Sequence, residues 1–302
     1  MGRYEQLEAF VEVVDQQGFS AAGEKMGLVK SVVSRRVSEL ESRLGVKLLN
    51  RTTRKLSLTG AGEQLYQQAS VLLADLLDAE QKVSDEQVTL SGRLKLAAPL
   101  SFGYRHLSSA ISEFVKMHPE INISLDLNDR EIDLVAEGFD MTIRIGELMD
   151  STLIARKLGV IRFVTAASDA YLQQHGTPLH PADLANHQGL LYSNMTAKQQ
   201  WRFNDKGQKI VSIPHTRLSA NNGDFLTNAA INGLGIVVSP TFLLSDAIRS
   251  GELRKILQGY NTEATGLYAL FPPGRLIPRR VKVLVEFLQK QFGDLPAWDK
   301  GL

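Results

Sequence analysis

Residues 20–65 read SAAGEKMGLVKSVVSRRVSELESRLGVKLLNRTTRKLSLTGAGEQL. Within them Val33, Val37, Leu40 and Leu44 recur at spacings of four, three and four, one apolar stripe on a helix from about Lys30 that Gly45 ends. Ahead of it a shorter helix runs from Ser20, a residue type that caps helix N-termini, to Met26, and Gly27 closes it. Further upstream, Leu7, Phe10, Val11 and Val14 fall at i, i+3, i+4 and i+7, a first amphipathic helix that stops at Gly18. Three short helices with a glycine between the second and third form the pattern of a helix-turn-helix.

The third helix turns a different face outward. Lys30, Ser31, Ser34, Arg35 and Ser38 lie off its apolar stripe, most of them near the N-terminal end that meets base edges in the major groove. Small hydroxyls allow close approach, and arginine donates two hydrogen bonds to guanine. Then KLLNRTTRKLSLT gives two short β-like segments around a basic turn, which reads as a wing with Arg51, Thr52, Thr53 and Arg54 set against phosphate or the minor groove. Ser20, Ala22 and Arg36 complete the expected DNA-facing set.

The charge distribution agrees. The 302 residues carry 34 Lys and Arg against 33 Asp and Glu, a net charge of only +1. Residues 25–55 nevertheless hold nine basic residues against Glu39 and Glu41, or +7, whereas residues 61–90 hold six acidic residues against Lys82, or −5. A basic block of that density suggests a polyanion partner, although a solvated helix face gives the same count.

At this point the chain resembles a known family. The Ser20-Ala21-Ala22 start, Ser31-x-x-Ser34-Arg35, the Leu40-Glu41 pair, Leu48-x-Asn50-Arg51 and Leu58-Thr59-x-x-Gly62 stand in the register of the winged helix-turn-helix of LysR-type transcriptional regulators. Lys30 departs from the polar, uncharged residue that many members carry just before the recognition-helix serine. From Gly60 a long helix follows, with Leu65, Ala69, Leu72, Leu76, Ala79 and Val83 as a heptad seam. Such a seam needs a partner helix, or else packs on its own domain. The resemblance implies the former, a linker helix that pairs two subunits.

After Ser91-Gly92 the pattern changes to alternating strands and helices: strands at 92–98, 121–127, 140–146, 161–168 and 235–240, and helices at Phe102 to Met117, Asp129 to Glu137, 224–232 and Val281 to Phe292. Strands alternating with helices imply an α/β sheet with helices on both faces. The family resemblance extends here and implies a two-lobed α/β domain similar to type 2 periplasmic-binding proteins, with a ligand cleft between lobes. The expected fold is therefore an all-α winged helix-turn-helix domain (1–60), a linker and dimerisation helix (61–90) and an α/β effector domain (91–302). Lobe one would be 92–158 with 268–302, and lobe two 159–267.

Open α/β sheets bind ligands beyond the carboxyl ends of their strands. Pro99, Leu100 and Ser101 form the first such end, where Ser101 and nearby amides suit a carboxylate or another anion, and Ser101 equally suits a helix cap. Arg144, in a strand before Gly146, needs a partner, either an acid such as Asp133 or an anionic effector. Asn222 and Gly223 border the cleft in the family and equally suit a turn. Trp201 and Phe203 alternate as core residues of a strand or as a cleft wall.

There is no cysteine, which excludes disulfides, thiolate metal sites and thiol redox sensing. Six histidines show no metal-ligand spacing, and no P-loop, nucleophile elbow or dinucleotide fingerprint occurs. No catalytic constellation, cofactor or metal is expected, and no run is long enough to span a membrane. The expected protein is a cytoplasmic, homodimeric or tetrameric regulator. Its partners are double-stranded DNA, a small-molecule effector of anionic character and RNA polymerase.

Overall fold

Val33, Val37 and Leu40 are wholly buried, so the stripe that defines the third helix also anchors the first unit. The computed structural model describes residues 2–51, 56–83, 90–148, 152–194, 200–273 and 277–302, and divides into two units, Met1–Gly92 and Arg93–Leu302. In the first, α1 (Arg3–Asp15), α2 (Phe19–Met26) and α3 (Lys30–Leu44) enclose Ala9, Phe10, Val13, Ala22, Val33, Val37 and Leu40. Gly27 and Gly45 adopt left-handed angles (φ +64° and +71°) and end α2 and α3, as a residue without Cβ does at low cost.

Three local expectations change. The deepest face of α1 is Ala9, Phe10 and Val13, with Leu7 and Val14 only half-buried at its rim. Helix α2 begins at Phe19 with Gly18 in the cap position, so Ser20 lies inside the helix and does not cap it. Leu44 is 41% exposed: it is the last helical residue, and the turn at Gly45 carries the chain away before the core reaches it.

Strands β1 (Leu49–Arg51) and β2 (Leu56–Leu58) form an antiparallel hairpin in which Leu49 faces Leu58. Glu41, 3% exposed, ties this hairpin to α3. Its Oε1 accepts the Leu48 and Leu49 amides at 2.9 and 3.2 Å, and its Oε2 accepts from Lys47 Nζ at 2.8 Å. Thr59 donates to the Lys47 carbonyl at 2.6 Å and accepts the Gly62 amide at 3.0 Å, which fixes the start of α4 (Gly60–Val83). Here only glycine fits, because a Cβ at Gly62 would stand 2.0 Å from the Leu48 carbonyl oxygen. Gly62→Ala is therefore expected to force helix and hairpin apart and to destabilise the unit by about 1–3 kcal/mol. Thermal unfolding reads this, and an unshifted transition would show that the backbone yields freely there.

The second unit has two lobes. In the first, β3 (Gly92–Ala98), β4 (Ile121–Leu127), β5 (Met141–Gly146), β6 (Ile154–Ile161) and β15 (Thr265–Phe271) form one sheet of order β4-β3-β5-β15-β6. Its helical elements are Leu100–Phe102 (α5), a π turn at Gly103–Leu107, Ser108–Met117 (α6) and Arg279–Phe292 (α10). In the second lobe, β7 (Phe163–Ala167), β12 (Val237–Pro240) and β13 (Arg254–Ile256) pair in the order β12-β7-β13, and β8 (Gln188–Tyr192) pairs with β11 (His215–Ala220). A bridge from Gly189 to Ile236 joins the two sets. Strands β9 (Trp201–Asp205), β10 (Gln208–Ser212) and β14 (Asn261–Thr262) make a small third sheet, and α7 (Asp169–His175), α8 (Gly223–Ile231) and α9 (Thr241–Arg249) complete the lobe.

The chain enters the second lobe through Arg162, between β6 and β7, and returns between β14 and β15. Since β15 pairs antiparallel with β6 from Thr265↔Ile161 onward, the two passages lie side by side. One expected helix is absent. Over 129–137 only a single turn forms, at Leu134–Gly138: Asp133 caps it, its Oδ1 accepting the Val135 and Ala136 amides at 3.0 Å each, and Gly138 at φ +68° closes it at once, with the Phe139 amide on the Leu134 carbonyl at 2.9 Å.

Candidate DNA interface and effector cleft

On α3 the buried stripe leaves the N-terminal turns turned outward. Lys30, Ser31 and Arg35 are exposed and Ser34 is half-buried beside them. Arg35 pairs only loosely with Glu39, at 3.7 Å between exposed side chains. Ser20 is exposed on α2. Two expected contacts change. Ala22 is wholly buried, its methyl spent on packing α2 into the core, so its side chain does not belong to the interface. Arg36 is half-buried with its Nε out of solvent, and its charge acts on Glu8 of α1. The side chain of Arg51 and all of Thr52, Thr53 and Arg54 lie outside the described residues.

The seam on α4 divides. Ala69 is wholly buried in its own unit's core and Leu65 packs against that core, so neither is spare for a second subunit. Leu72 and Leu76 are 62% and 41% exposed. The side chains of Ala79 and Val83 lie outside the described residues.

In the second unit, residues far apart in sequence converge where the lobes meet. Ser101, 7% exposed on α5, donates from Oγ to Asp224 Oδ2 at 2.5 Å. Arg105, on the π turn, donates from Nε to Asp224 Oδ1 at 2.6 Å. The Asp224 carboxylate, in the first turn of α8, is thereby held from the opposite lobe by both oxygens. Asp246 of α9 stands 3.5 Å from Arg105 Nη1. Asp129, just after β4, accepts the Leu100 amide at 3.2 Å and the Tyr192 hydroxyl of the second lobe. Burial pushes the Asp129 carboxyl above its ordinary value, and the nearby Asp224 charge adds to this against the Leu100 and Tyr192 bonds. Burial and the Asp129 carboxylate push the Tyr192 hydroxyl up to about 12. Beside them His106 bonds through Nε2 to the Phe242 carbonyl at 3.3 Å and packs on Trp298, with ring centroids 4.4 Å apart. Burial lowers its pKa, favouring the neutral ring.

The donors expected to receive an external anion, the Ser101 hydroxyl and the Leu100 amide, thus both bond to carboxylates of the chain itself. Pro99 caps α5 without a side-chain bond and Leu100 is partly exposed. Asn222 is the N-cap of α8, accepting the Phe225 amide at 2.9 Å. Gly223 is buried where a Cβ would meet Leu243 at 2.4 Å. Arg144 finds its partner in Glu131 at 3.1 Å rather than in Asp133, whose Oδ1 is engaged by backbone amides. Gly146, at φ +149°, closes the same strand. Phe203 is corrected: it is 1% exposed and packs with Trp201, Tyr171 and Leu184 inside the second lobe, so it walls no cleft. Arg105, Asp129, Tyr192 and Asp224 were not singled out in the sequence. Among the described residues no three His, Asp or Glu side chains gather as a metal site, and no helix is long and apolar enough to cross a membrane.

A helix-turn-helix whose third helix presents hydroxyls and cations, followed by a two-lobed α/β unit, defines a DNA-binding transcriptional regulator. Residues 4–63 match the family model "Bacterial regulatory helix-turn-helix protein, lysR family", and residues 87–293 match "LysR substrate binding domain". The chain belongs to the LysR family. It is 35% identical to the transcriptional regulator PtxR of Pseudomonas aeruginosa over 96% of this chain and 93% of that one. It is 34% identical to the regulator CrgA of Neisseria meningitidis serogroup B over 96% and 97%. Among solved structures, CrgA of N. meningitidis superposes with a TM-score of 0.62 at 32% identity, covering 97% of this chain and 100% of that one. The full-length virulence activator AphB of Vibrio cholerae gives 0.58 at 30% identity, covering 95% and 98%.

Proposed function

We propose that this chain is a sequence-specific regulator that reads an interrupted inverted repeat as a dimer or dimer of dimers, under the control of a small molecule bound between the lobes of its second unit. The observation that carries the reading is the outward N-terminal end of α3, where Lys30, Ser31 and Arg35 are exposed opposite the buried Val33, Val37 and Leu40. Lys30, Ser31, Ser34 and Arg35 contact base edges, while Arg51, Thr52, Thr53 and Arg54 hold the backbone or minor groove. Leu72 and Leu76, left exposed on α4, meet their counterparts in a second subunit, with Ala79 and Val83 continuing the seam.

The effector reaches the interlobe residues Ser101, Arg105, Asp129, Tyr192 and Asp224. By binding one lobe arrangement better than the other it shifts their populations and, through the dimer, the geometry on DNA. The protein acts by binding and not by catalysis, in the cytoplasm, and RNA polymerase is a further partner at the promoter. Selection of genomic fragments on the purified chain at about 0.15 M salt tests this, salt being fixed because phosphate contacts alone can mimic affinity. Promoter fragments sharing an inverted repeat are the expected result. Fragments with no common sequence would overturn it.

A further inference from the structure

We propose that Asp224 is an internal ligand: its carboxylate occupies, on Ser101 and Arg105, the seat of an oxyanion, and an effector that brings its own carboxylate takes that seat by displacing it. The proposal deepens the effector reading above and rests on it. Three features carry it. Asp224 is bound by both oxygens, one to a hydroxyl at 2.5 Å and one to a guanidinium nitrogen at 2.6 Å, the pairing an external carboxylate would make. Donors and acceptor come from opposite lobes, so the bond also holds the lobes together. Ser101 is 7% exposed and Arg105 half-buried, so the contact is shielded from solvent and is more than a loose surface pair.

The second carboxylate shows that the arrangement is not confined to one residue. Asp129 takes the Leu100 amide next in the chain and receives the Tyr192 hydroxyl from the other lobe. Each lobe thus lends one carboxylate to the other's donors. An entering carboxylate exchanges one anion for another on Ser101 and Arg105, leaving their hydrogen bonding unchanged while freeing the second lobe. A neutral ligand lacks that exchange, and a cation would have to compete with Arg105 for Asp224.

An internal competitor lowers apparent affinity by the fraction of time the seat is free. If the seat is free a tenth of the time, emptying it tightens anion binding roughly tenfold. The experiment compares the full chain with Asp224→Ala, Asp224→Asn and Asp224→Ala/Ser101→Ala. Thermal unfolding of the second unit is followed in rising acetate or methylammonium at constant ionic strength. The expected result is half-maximal stabilisation at about tenfold less acetate in Asp224→Ala, a smaller gain in Asp224→Asn, and loss of the gain when Ser101 is also removed. The asparagine variant keeps the shape of the site if the alanine variant folds poorly. Equal acetate dependence in the wild type and both single variants would overturn the proposal, as would a gain that persists without Ser101. Stabilisation of the wild type by methylammonium that Asp224→Ala abolishes would assign the seat to a cation instead, and also overturns it. Since no DNA is present, this outcome is independent of the fragment selection that tests the regulator reading.

Discussion

Glu41→Ala is expected to destabilise the first unit by about 2–6 kcal/mol, although no part of Glu41 is placed against DNA. Its carboxylate is the acceptor for two buried amides, Leu48 and Leu49, and for the Lys47 ammonium. Deleting it leaves both amides without that acceptor, and each such loss costs about 1–3 kcal/mol. Glu41→Gln keeps an oxygen for the amides and loses the ion pair, so its loss is smaller. Burial by itself would raise the Glu41 pKa, but the bonds from Lys47, Leu48 and Leu49 outweigh it and hold the group below its ordinary 4.5. A lowered carboxyl contributes stability above its unfolded value and loses it as pH falls through the folded one. The wild type therefore loses stability more steeply than Glu41→Gln on acidification below about pH 4.5. Amide exchange at Leu48 and Leu49 together with acid unfolding of both proteins measures this. Unchanged protection of these amides in Glu41→Ala would show that other acceptors replace the carboxylate.

Arg35→Ala is expected to weaken binding to the selected site by about 1–3 kcal/mol, a factor between about 5 and 150, and to relax preference at one base position. The fold supplies the control. Arg35 is mostly exposed, and its ion pair with Glu39 is 3.7 Å long and open to solvent, worth at most ~0.5 kcal/mol. Read beside an unshifted unfolding transition of the same variant, the lost affinity reports on DNA and not on unfolding. Arg54→Ala provides the contrast, since a phosphate contact weakens all sequences alike and flattens the salt dependence. Equal losses on specific and random DNA for Arg35→Ala would remove it from base reading.

What was legible in the sequence is what repeats over a few residues. Val33, Val37 and Leu40 announce α3 because a helix returns to the same face every three or four positions, and Gly27 and Gly45 mark its neighbourhood because only glycine turns left cheaply there. The same local logic misled where a second partner decided the outcome. Ala22 reads as a small surface residue until α1 and α3 close over it. The acidic stretch after 129 reads as a helix, yet the turn that Asp133 caps is closed one turn later by Gly138 in a left-handed conformation. Leu65 and Ala69 continue a seam by spacing, yet lie where α4 packs on its own core.

The interlobe residues were the hardest to read. Asp224 is separated from Ser101 by 123 residues and from Arg105 by 119, so no window of sequence contains the contact. Asn222 and Gly223 are conspicuous by type in a turn, while the residue that crosses to the other lobe is the ordinary aspartate beside them in the first turn of α8. The Glu41 role was half-visible: the Leu40-Glu41 pair stood out as a motif, but its reason, two amides seven and eight residues on, appears only when the hairpin folds back.

The π turn at Gly103–Leu107 has a consequence in chain length rather than in chemistry. Such a turn holds one residue more than the α-helix on either side, so it is in effect a single-residue insertion. Removing one residue there would let α5 and α6 run on as uninterrupted helix, with Ala110 and Phe114 still facing inward. The same deletion would swing Ser101 by about 100° around the axis, away from Asp224. A change of one codon in length, neutral to the helix as a scaffold, would thus disconnect the lobes, and a tally of substitutions would overlook it.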